Sequence, residues 1–223
     1  MSTPRLVIFG LSNILSDLFD CALANNLKLG KIVIHLPEQV DVRSRPLSER
    51  LAAVSALTTP PAVENLENFS PQSGEVYLLG PTTPARVALA EELVRRFDLR
   101  FHTLIHPRAY ISSLAVLGEG VFVGANSVVG PGTRLDDHVF VNRGVTIGHD
   151  TSIGAYSRIQ PGSNLGGLSR IGRGVTIGIG ATLIERLVVG DHAIIGAGAV
   201  VTGDVPARKL VVGIPARVKK DLD

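Results

Sequence analysis

The sequence predicts a chain of two parts, in which a small α/β domain precedes a parallel β-helix. Two patterns carry this prediction: strand and helix signals alternate over the first part, and an unbroken six-residue repeat fills the second. The composition agrees, because aromatic residues make up only 4% of the chain and Trp is absent, as a narrow aliphatic core requires. We expect the first domain to cover residues 1–106 and the β-helix with its C-terminal cap to cover residues 107–223.

The first domain alternates apolar runs with amphipathic stretches. The apolar runs predict strands at Arg5–Phe9, Lys31–Leu36, Glu75–Leu79 and Arg100–Ile105. The amphipathic spacing predicts helices at Ser12–Leu27, Leu47–Leu57 and Pro84–Phe97. Between them, Thr58–Ser73 is rich in Pro, Asn and Ser and is predicted to be a loop. This β-α-β-α-β-α-β order predicts a small parallel sheet of Rossmann type.

The second part places an aliphatic residue at every sixth position. The sixteen positions are Ile111, Leu117, Val123, Val129, Leu135, Val141, Ile147, Ile153, Ile159, Leu165, Ile171, Ile177, Leu183, Val189, Ile195 and Val201. Neither a helix, with about 3.6 residues per turn, nor plain strand alternation selects every sixth residue. A fixed hexapeptide repeat is instead the sequence signature of a β-helix.

The other positions of each hexad describe the shape of the coil. Four residues after each aliphatic stands a mostly small or β-branched residue, and Gly follows the aliphatic directly in ten of the sixteen hexads. The second inward side chain must be slim because stacked coils lie only about 4.8 Å apart. Glycine allows a corner where a Cβ would clash. Three such sides close one coil of eighteen residues, so the segment predicts five coils and the start of a sixth.

The composition excludes some classes of protein. The net charge of +2 is too small to indicate a nucleic acid or membrane partner through its field alone. Cys21 is the single cysteine, so no intramolecular disulfide can form and a reducing cytoplasm is the expected location. The first residues lack the pattern of a signal peptide, and no uninterrupted apolar run approaches the length of about 18 residues that a membrane span needs.

At this point the sequence resembles a known family. Repeats such as LGEGVFVGANSVVG resemble the hexapeptide-repeat acyltransferases. A Rossmann-like domain, the turn LIHPRAYIS and a β-helix, in this order, are similar to the sialic acid O-acetyltransferase (NeuD-like) family and the bacterial amino-sugar N-acetyltransferases. The resemblance implies a left-handed β-helix, a substrate-binding N-terminal domain, and a homotrimer with acetyl-CoA between neighbouring prisms. It implies no metal.

The stretch VNRGVTIGHDTSIG, from Val141 to Gly154, contains the candidate catalytic residues. His149 is the third residue of its hexad, so its side chain should point outward near a corner. The resemblance implies that His149 is the general base and that Asp150 increases the basicity of the imidazole. The alternative is an exposed histidine without a role. Asn142 either orients the acceptor or caps a turn.

The eighteen-residue coil also predicts a cosubstrate groove. Ala125, Arg143, Pro161, Ile179 and Ala197 should form one outward column, whose upper part, with Gly178 and Gly196, is small and apolar. The resemblance implies that these upper positions and Arg158 contact acetyl-CoA. The N–H of Gly167 is a candidate for stabilising the oxyanion.

The basic C-terminal segment leaves two alternatives open. The basic tail of Arg217, Lys219 and Lys220 either binds the 3′-phosphate of CoA or is simply solvated.

After the first strand, FGLSNILSD lacks the family's glycine-rich turn, so Gly10 and Ser12 are weaker candidates for substrate binding, and Ser12 could instead cap a helix. Asp41 and Arg43 come later than the family's acidic turn after the second strand. The identity of the substrate is therefore left open.

The sequence thus predicts an acetyl-CoA-dependent acyltransferase that acts on an amino or hydroxyl group of a sugar, in nucleotide-linked form, by direct transfer. One alternative is transfer to a non-sugar small amine by the same fold. The other is a β-helix scaffold without catalytic activity.

Overall fold

The computed structural model describes residues 3–39 and 43–222. Asp41 therefore lies outside the described residues. The chain divides into two compact units. The first contains the described residues up to Thr82 together with Ala88–His102, and the second contains Thr83–Val87 and the described residues from Thr103 onward. The assignment of separate functions to two domains stays a prediction.

The first unit contains a parallel sheet with helices. Its strands are β1 (Arg5–Phe9), β2 (Lys28–Ile34), β3 (Ala62–Asn65) and β4 (Glu75–Leu79). Among the described residues their order is β3-β2-β1-β4, and every neighbouring pair is parallel. The helices are α1 (Leu15–Ala24), α2 (Leu47–Ser55) and α3 (Val87–Phe97), of which Val87 belongs to the second unit. A 3-10 turn forms at Leu66–Asn68, and a second one, Pro84–Arg86, belongs to the second unit. Leu6, Val7, Ile8 and Phe9 are buried because β1 is central to the sheet.

Two predictions for this unit are wrong. The stretch Thr58–Ser73, predicted to be a loop, contains β3, an edge strand that pairs with β2. Because an edge strand is partly exposed, it lacks an apolar run, and the charge of Glu64 is met by Lys31 at 3.4 Å. The predicted strand Arg100–Ile105 does not form either. Phe101 makes an isolated bridge to Tyr77, while Leu104–Ile105 pairs with Phe122–Val123 in the second unit.

The second unit is a β-helix whose described strands form three sheets, all parallel except for one antiparallel hairpin at the end of the eight-stranded sheet. The eight-stranded sheet contains Leu104–Ile105, Phe122–Val123, Phe140–Val141, Arg158–Ile159, Thr176–Ile177, Ile194–Ile195, Lys209–Gly213 and Ala216–Asp221. The six-stranded sheet contains Tyr110–Ile111, Val128–Val129, Thr146–Ile147, Asn164–Leu165, Thr182–Leu183 and Val200–Val201. The five-stranded sheet contains Val116–Leu117, Arg134–Leu135, Ser152–Ile153, Arg170–Ile171 and Val188–Val189.

The register confirms the eighteen-residue coil. Thr146 pairs with Val128 in the coil before it and with Asn164 in the coil after it. The aliphatic of each hexad points inward, and Ile153 and Ile159 are 0% exposed. Ile105 lies six residues before Ile111, so the repeat begins one strand earlier than predicted. The stacked parallel sheets fit the left-handed β-helix that the resemblance implies.

The slim inward residues also satisfy the backbone at the corners. Ser127 Oγ donates to the carbonyl of Asn142 at 2.7 Å, and Thr133 Oγ1 donates to the carbonyl of Gly148 at 3.0 Å. Ser163 Oγ donates in the same way to Gly178 at 2.8 Å. A hydroxyl at this position therefore offers a hydrogen bond to the coil above, which explains why Ser and Thr are frequent there.

Two segments complete the second unit. The hairpin of Lys209–Gly213 and Ala216–Asp221 continues the eight-stranded sheet beyond Ile194–Ile195. The segment Thr83–Val87 is joined to the coils by Arg86, whose guanidinium donates to the carbonyls of His138 and Ser157. Within the described ranges, no helix has the length and apolar character that crossing a bilayer would need.

Candidate active site

His149 and Asp150 form the corner between the strands Thr146–Ile147 and Ser152–Ile153. Asp150 adopts the left-handed backbone region, with φ +54°, and its N–H donates to the carbonyl of Pro131 at 2.8 Å. The side chains of His149 and Asp150 are 57% and 59% exposed. The histidine therefore projects outward from the coil, within reach of a molecule at the surface.

The two side chains contact each other directly. His149 Nδ1 lies 2.9 Å from Asp150 Oδ2. An ionised carboxylate can only accept a hydrogen bond, so Nδ1 carries the proton in this arrangement. In the neutral imidazole the lone pair is then on Nε2. This is the tautomer that a general base needs, because Nε2 is the nitrogen directed away from the aspartate.

Gly167 lies one coil above His149, against its ring. A Cβ on Gly167 would lie 2.8 Å from His149 Nε2 and 2.9 Å from Cδ2, so only glycine allows the imidazole this position. The N–H of Gly167 donates to none of the described residues. The corner therefore brings together a basic nitrogen and a free backbone N–H, which are the two groups that acyl transfer requires.

The predicted cosubstrate positions lie at a different corner, between the eight-stranded and six-stranded sheets. Ile179 is 59% exposed there, and the N–H groups of Ile179 and Ala197 donate to none of the described residues. Gly178 and Gly196 are required by packing, because a Cβ would meet Ala197 N at 2.6 Å and Val212 Cγ1 at 2.7 Å, respectively. An exposed apolar wall with free N–H groups fits a pantetheine arm, which is mostly apolar and carries two amides.

Asn142 lies at this second corner, away from His149 along the coil. It is 5% exposed, and its Oδ1 accepts a hydrogen bond from the N–H of Arg143 at 2.8 Å. This is the contact of a turn cap. A role for Asn142 in orienting the acceptor stays a prediction.

Arg158 lies on the eight-stranded sheet, where it is half-buried. Its Nε donates to Thr176 Oγ1 at 3.2 Å, one coil above. Burial lowers the pKa of Arg158, and the pKa of the neighbouring Arg86 is lowered to about 10, first by burial and then by the charge of Arg158. Contact between Arg158 and acetyl-CoA stays a prediction.

In the first unit, Gly10 and Ser12 follow β1. Gly10 has φ +80°, and a Cβ there would meet the His35 ring at 2.8 Å. Ser12 Oγ donates to the carbonyl of Gly80 at 2.7 Å. The alternative that Ser12 caps the helix is wrong, because α1 begins at Leu15 and its N-cap is Ile14. Substrate binding by Gly10 and Ser12 stays a prediction.

The basic tail lies on the last strand of the hairpin. Arg217, Lys219 and Lys220 are exposed on Ala216–Asp221, and Arg217 Nη1 donates to the carbonyl of Ala216 at 2.9 Å. Neither the phosphate-binding role nor the solvated alternative is decided by these contacts.

One neighbour of the His149–Asp150 pair is not among the residues predicted from the sequence. Gly132 lies one coil below Asp150, and a Cβ on it would lie 2.3 Å from Asp150 Oδ1. The coil repeat contains the signal, because Gly132 precedes Asp150 by eighteen residues.

Known proteins resemble this chain over its repeats and, among solved structures, over nearly its whole length. The family model of the bacterial transferase hexapeptide (six repeats) matches residues 169–203. A 2,3,4,5-tetrahydropyridine-2,6-dicarboxylate N-acetyltransferase of Enterococcus faecalis is 49% identical over 43 residues, which are 19% of this chain and 18% of that protein. The match thus spans less than a fifth of the curated relative's length.

Solved structures match over a longer range. The acetyltransferase domain of PglB from Neisseria gonorrhoeae, also solved in complex with acetyl coenzyme A, is 28% identical, with a TM-score of 0.80, over 97% of this chain and 100% of that chain. A variant of perosamine N-acetyltransferase from Caulobacter crescentus, in complex with CoA and GDP-perosamine, is 23% identical, with a TM-score of 0.81, over 99% of both chains. At that lower identity the likeness shows the fold.

The second unit is thus a β-helix of the hexapeptide-repeat class. The predicted resemblance of the chain to the hexapeptide-repeat acetyltransferases is confirmed. The same findings support the predicted acyltransferase class and acetyl-CoA as cosubstrate.

Proposed function

We propose that the chain is an acetyl-CoA-dependent acyltransferase that acetylates an amino or hydroxyl group of a nucleotide-linked sugar. The observation that carries the proposal is the His149–Asp150 pair, whose imidazole Nε2 lies where a Cβ on Gly167 would be only 2.8 Å away, at a corner where the Gly167 N–H has no partner among the described residues. The likeness to the PglB acetyltransferase domain, which covers nearly the whole chain, supports the reaction class.

The reaction needs two actions from this corner. Acetyl-CoA, when bound, supplies a thioester carbonyl. His149 Nε2 accepts the proton of the acceptor amine or hydroxyl as that group attacks, and Asp150 stabilises the imidazolium that forms. The C–S bond of the tetrahedral intermediate then breaks, and the imidazolium returns its proton to the departing thiolate, so that free CoA thiol is released. The N–H of Gly167 donates to the carbonyl oxygen as negative charge develops on it.

Direct transfer is favoured over a covalent intermediate on cysteine. Cys21 is the single cysteine of the chain, and it is buried in the first unit. Burial, and to a smaller extent the charge of Asp20, raises the pKa of its thiol to about 12. Because the thiolate is the nucleophilic form, Cys21 is inert near neutral pH.

The proposal also includes a role for the first unit, an assembly of several copies and a location in the cell. The strand order β3-β2-β1-β4 supports a Rossmann-like first unit that binds the nucleotide part of the substrate at the ends of its strands. The exposed wall at Ile179 and Ala197 supports an assembly of three copies with acetyl-CoA held between neighbours. A cytoplasmic location is expected from the low cysteine content.

A second candidate is transfer to a non-sugar amine. The local match to the Enterococcus N-acetyltransferase, whose named substrate is not a sugar, favours it. A panel of nucleotide-linked amino sugars, their hydroxyl counterparts and small amines, each offered with acetyl-CoA, separates these acceptors. The scaffold alternative predicts that no acceptor is acetylated.

The test of the proposal is His149→Ala, assayed by release of free CoA thiol. We expect kcat to fall at least about a hundredfold, the lower limit of a general base contribution, while the melting temperature stays close to that of the parent protein. His192→Asn is the matched control, since His192 is an exposed histidine at another corner with φ +59°, which Asn tolerates. Undiminished transfer by His149→Ala contradicts the assignment of the base.

A further inference from the structure

The carboxylate of Asp150 is held by a glycine as well as by the histidine. Its Oδ2 lies 2.9 Å from His149 Nδ1, and its Oδ1 lies at the place where Gly132 would carry a Cβ, only 2.3 Å from that position. Among the described residues, the carboxylate has no hydrogen-bond partner other than His149. Since the side chain is 59% exposed, burial does not fix it. The space above Gly132 is what allows the carboxylate this position.

Glycines at the same place in the turn, but at the corner between the eight-stranded and six-stranded sheets, show that this gap is separate from backbone conformation. Gly132 and Gly162 both have φ +69° in the left-handed region, where a side chain is strained. A Cβ on Gly162 would meet nothing within 4 Å. Gly144, Gly180 and Gly198 are open in the same way. The backbone therefore explains a glycine at all five positions, but only Gly132 also accommodates the side chain that contacts the candidate base.

We propose that Gly132 is a positioning residue for acyl transfer: the space left by its missing Cβ lets the Asp150 carboxylate hold His149 as the Nδ1–H tautomer, with the Nε2 lone pair directed at the acceptor. This inference rests on the proposed function. A methyl group at position 132 would displace the carboxylate, because a heavy-atom contact of 2.3 Å is not tolerated and the carboxylate can rotate. The coil itself need not move.

The first test compares Gly132→Ala with Gly162→Ala in the full chain. The two variants carry the same backbone strain, so melting temperatures should fall together, and any difference at His149 comes from the Cβ contact. Nitrogen-15 NMR of the imidazoles, assigned with His149→Gln, reports which ring nitrogen carries the proton. We expect the His149 signals to move away from the Nδ1–H pattern in Gly132→Ala and to stay unchanged in Gly162→Ala. Identical His149 signals in the two variants overturn the inference.

The second test is the rate of acetyl transfer. We expect Gly132→Ala to lower kcat on the order of tenfold, a part of what a general base contributes, with little change in KM for acetyl-CoA, whereas Gly162→Ala keeps the parent rate. Equal rates for the two variants count against Gly132 as a positioning residue. If Gly132→Ala fails to fold, Gly132→Asn and Gly162→Asn replace the pair, since Asn tolerates the left-handed region.

The two proposals can fail separately. Transfer that survives His149→Ala contradicts the proposed base, and the imidazole spectra still decide whether Gly132 positions Asp150. Spectra that do not respond to Gly132→Ala contradict the positioning, even where His149→Ala abolishes transfer.

Discussion

Glycine has two different functions at the corners of this β-helix. At Gly144 and Gly162 it provides the left-handed backbone, and the space around it is open. At Gly167 and Gly178 the φ is ordinary, but a Cβ would lie within 3 Å of atoms in a neighbouring coil. A substitution at the first kind strains the backbone, whereas one at the second kind displaces a neighbour. At Gly167 that neighbour is the ring of His149.

This difference makes Gly167→Ala a test of the corner. The methyl group would contact His149 Nε2 and Cδ2, so the imidazole must move from its place beside Gly167. We expect kcat for acetyl transfer to fall by about tenfold to a hundredfold, with little loss of thermal stability. Gly203→Ala is the control, because Gly203 occupies the same position two coils above and a Cβ there meets nothing within 4 Å. An equal loss in both variants contradicts the proposed contact.

For a single residue, the sequence predicts whether the side chain points out of the coil, but it does not predict which residues of neighbouring coils the side chain contacts. The position of His149 in its hexad predicts that it points outward, and its side chain is 57% exposed. The contact of Asp150 with the imidazole joins two adjacent residues, so the sequence also allows it to be predicted. The contacts to Gly132 and Gly167 depend on atoms eighteen residues away, whose distances follow only from the stacked coils.

At the scale of elements, the corner between the five-stranded and eight-stranded sheets contains a buried aromatic stack. The His138 ring lies on Tyr156, with 4.8 Å between ring centroids and 19° between planes. The Arg86 guanidinium lies 5.8 Å from the centre of the Tyr156 ring, and Arg173 lies 4.8 Å from it. Two cations on the ring and a buried histidine beneath it make this corner unfavourable for a further positive charge.

The stack predicts that stability depends on pH. Burial, then the charge of Arg86, lowers the pKa of His138 to about 4, while the carboxylates of Asp137 and Glu119 act in the opposite direction and Arg173 lowers it further. The unfolded chain has the ordinary value of 6.5, so between pH 6.5 and 4 it binds a proton that the folded chain does not. Stability is therefore full above pH 6.5 and falls as the pH decreases, by up to about 3 kcal/mol from this group.

Denaturant unfolding at pH 7 and pH 4.5 measures the effect. We expect His138→Asn, which keeps a residue tolerant of φ +58°, to be less stable at pH 7 because it loses the stack, but to lose less stability on acidification. His35 and His102 also have pKa values lowered by burial, so a residual slope remains. If the slope of His138→Asn equals that of the parent protein, His138 is not the titrating group.

Elements were predicted unevenly, for a physical reason. The coil strands were found because each repeats an inward aliphatic residue, and β1 and β4 were found because they are apolar runs. The edge strand β3 was missed because most of its residues are exposed and it contains no apolar run, and the ion pair of Lys31 and Glu64 accompanies its pairing with β2. Lys31 is also shared with Glu75 at 3.2 Å, so this ion cluster links three strands in a way that no local pattern shows.

At the scale of the whole molecule, the local repeat fixes which residues share a corner. His149 lies at the corner where the strands of the six-stranded sheet end, and Ile179 and Ala197 lie at the corner where those strands begin. The base and the candidate cosubstrate wall of a single coil stack therefore face different directions. Since acyl transfer requires them together, the site is expected to form when one copy's His149 corner meets another copy's Ile179 corner, as a closed ring of three allows.

This expectation can be tested by mixing inactive variants. His149→Ala removes the base, and Ile179→Glu places a charge on the apolar wall, so each alone should transfer little acetyl, the second through a raised KM for acetyl-CoA. Val188→Glu, at a residue that is 48% exposed on the five-stranded sheet, is the control for the added charge. If three copies form the expected ring, then after reassembly from equal amounts a site is intact when one chain supplies the base and its neighbour the wall, so about a quarter of the parent activity should return. No recovery, in mixtures shown by mass to contain both chains, would place the base and the wall of each site within one copy.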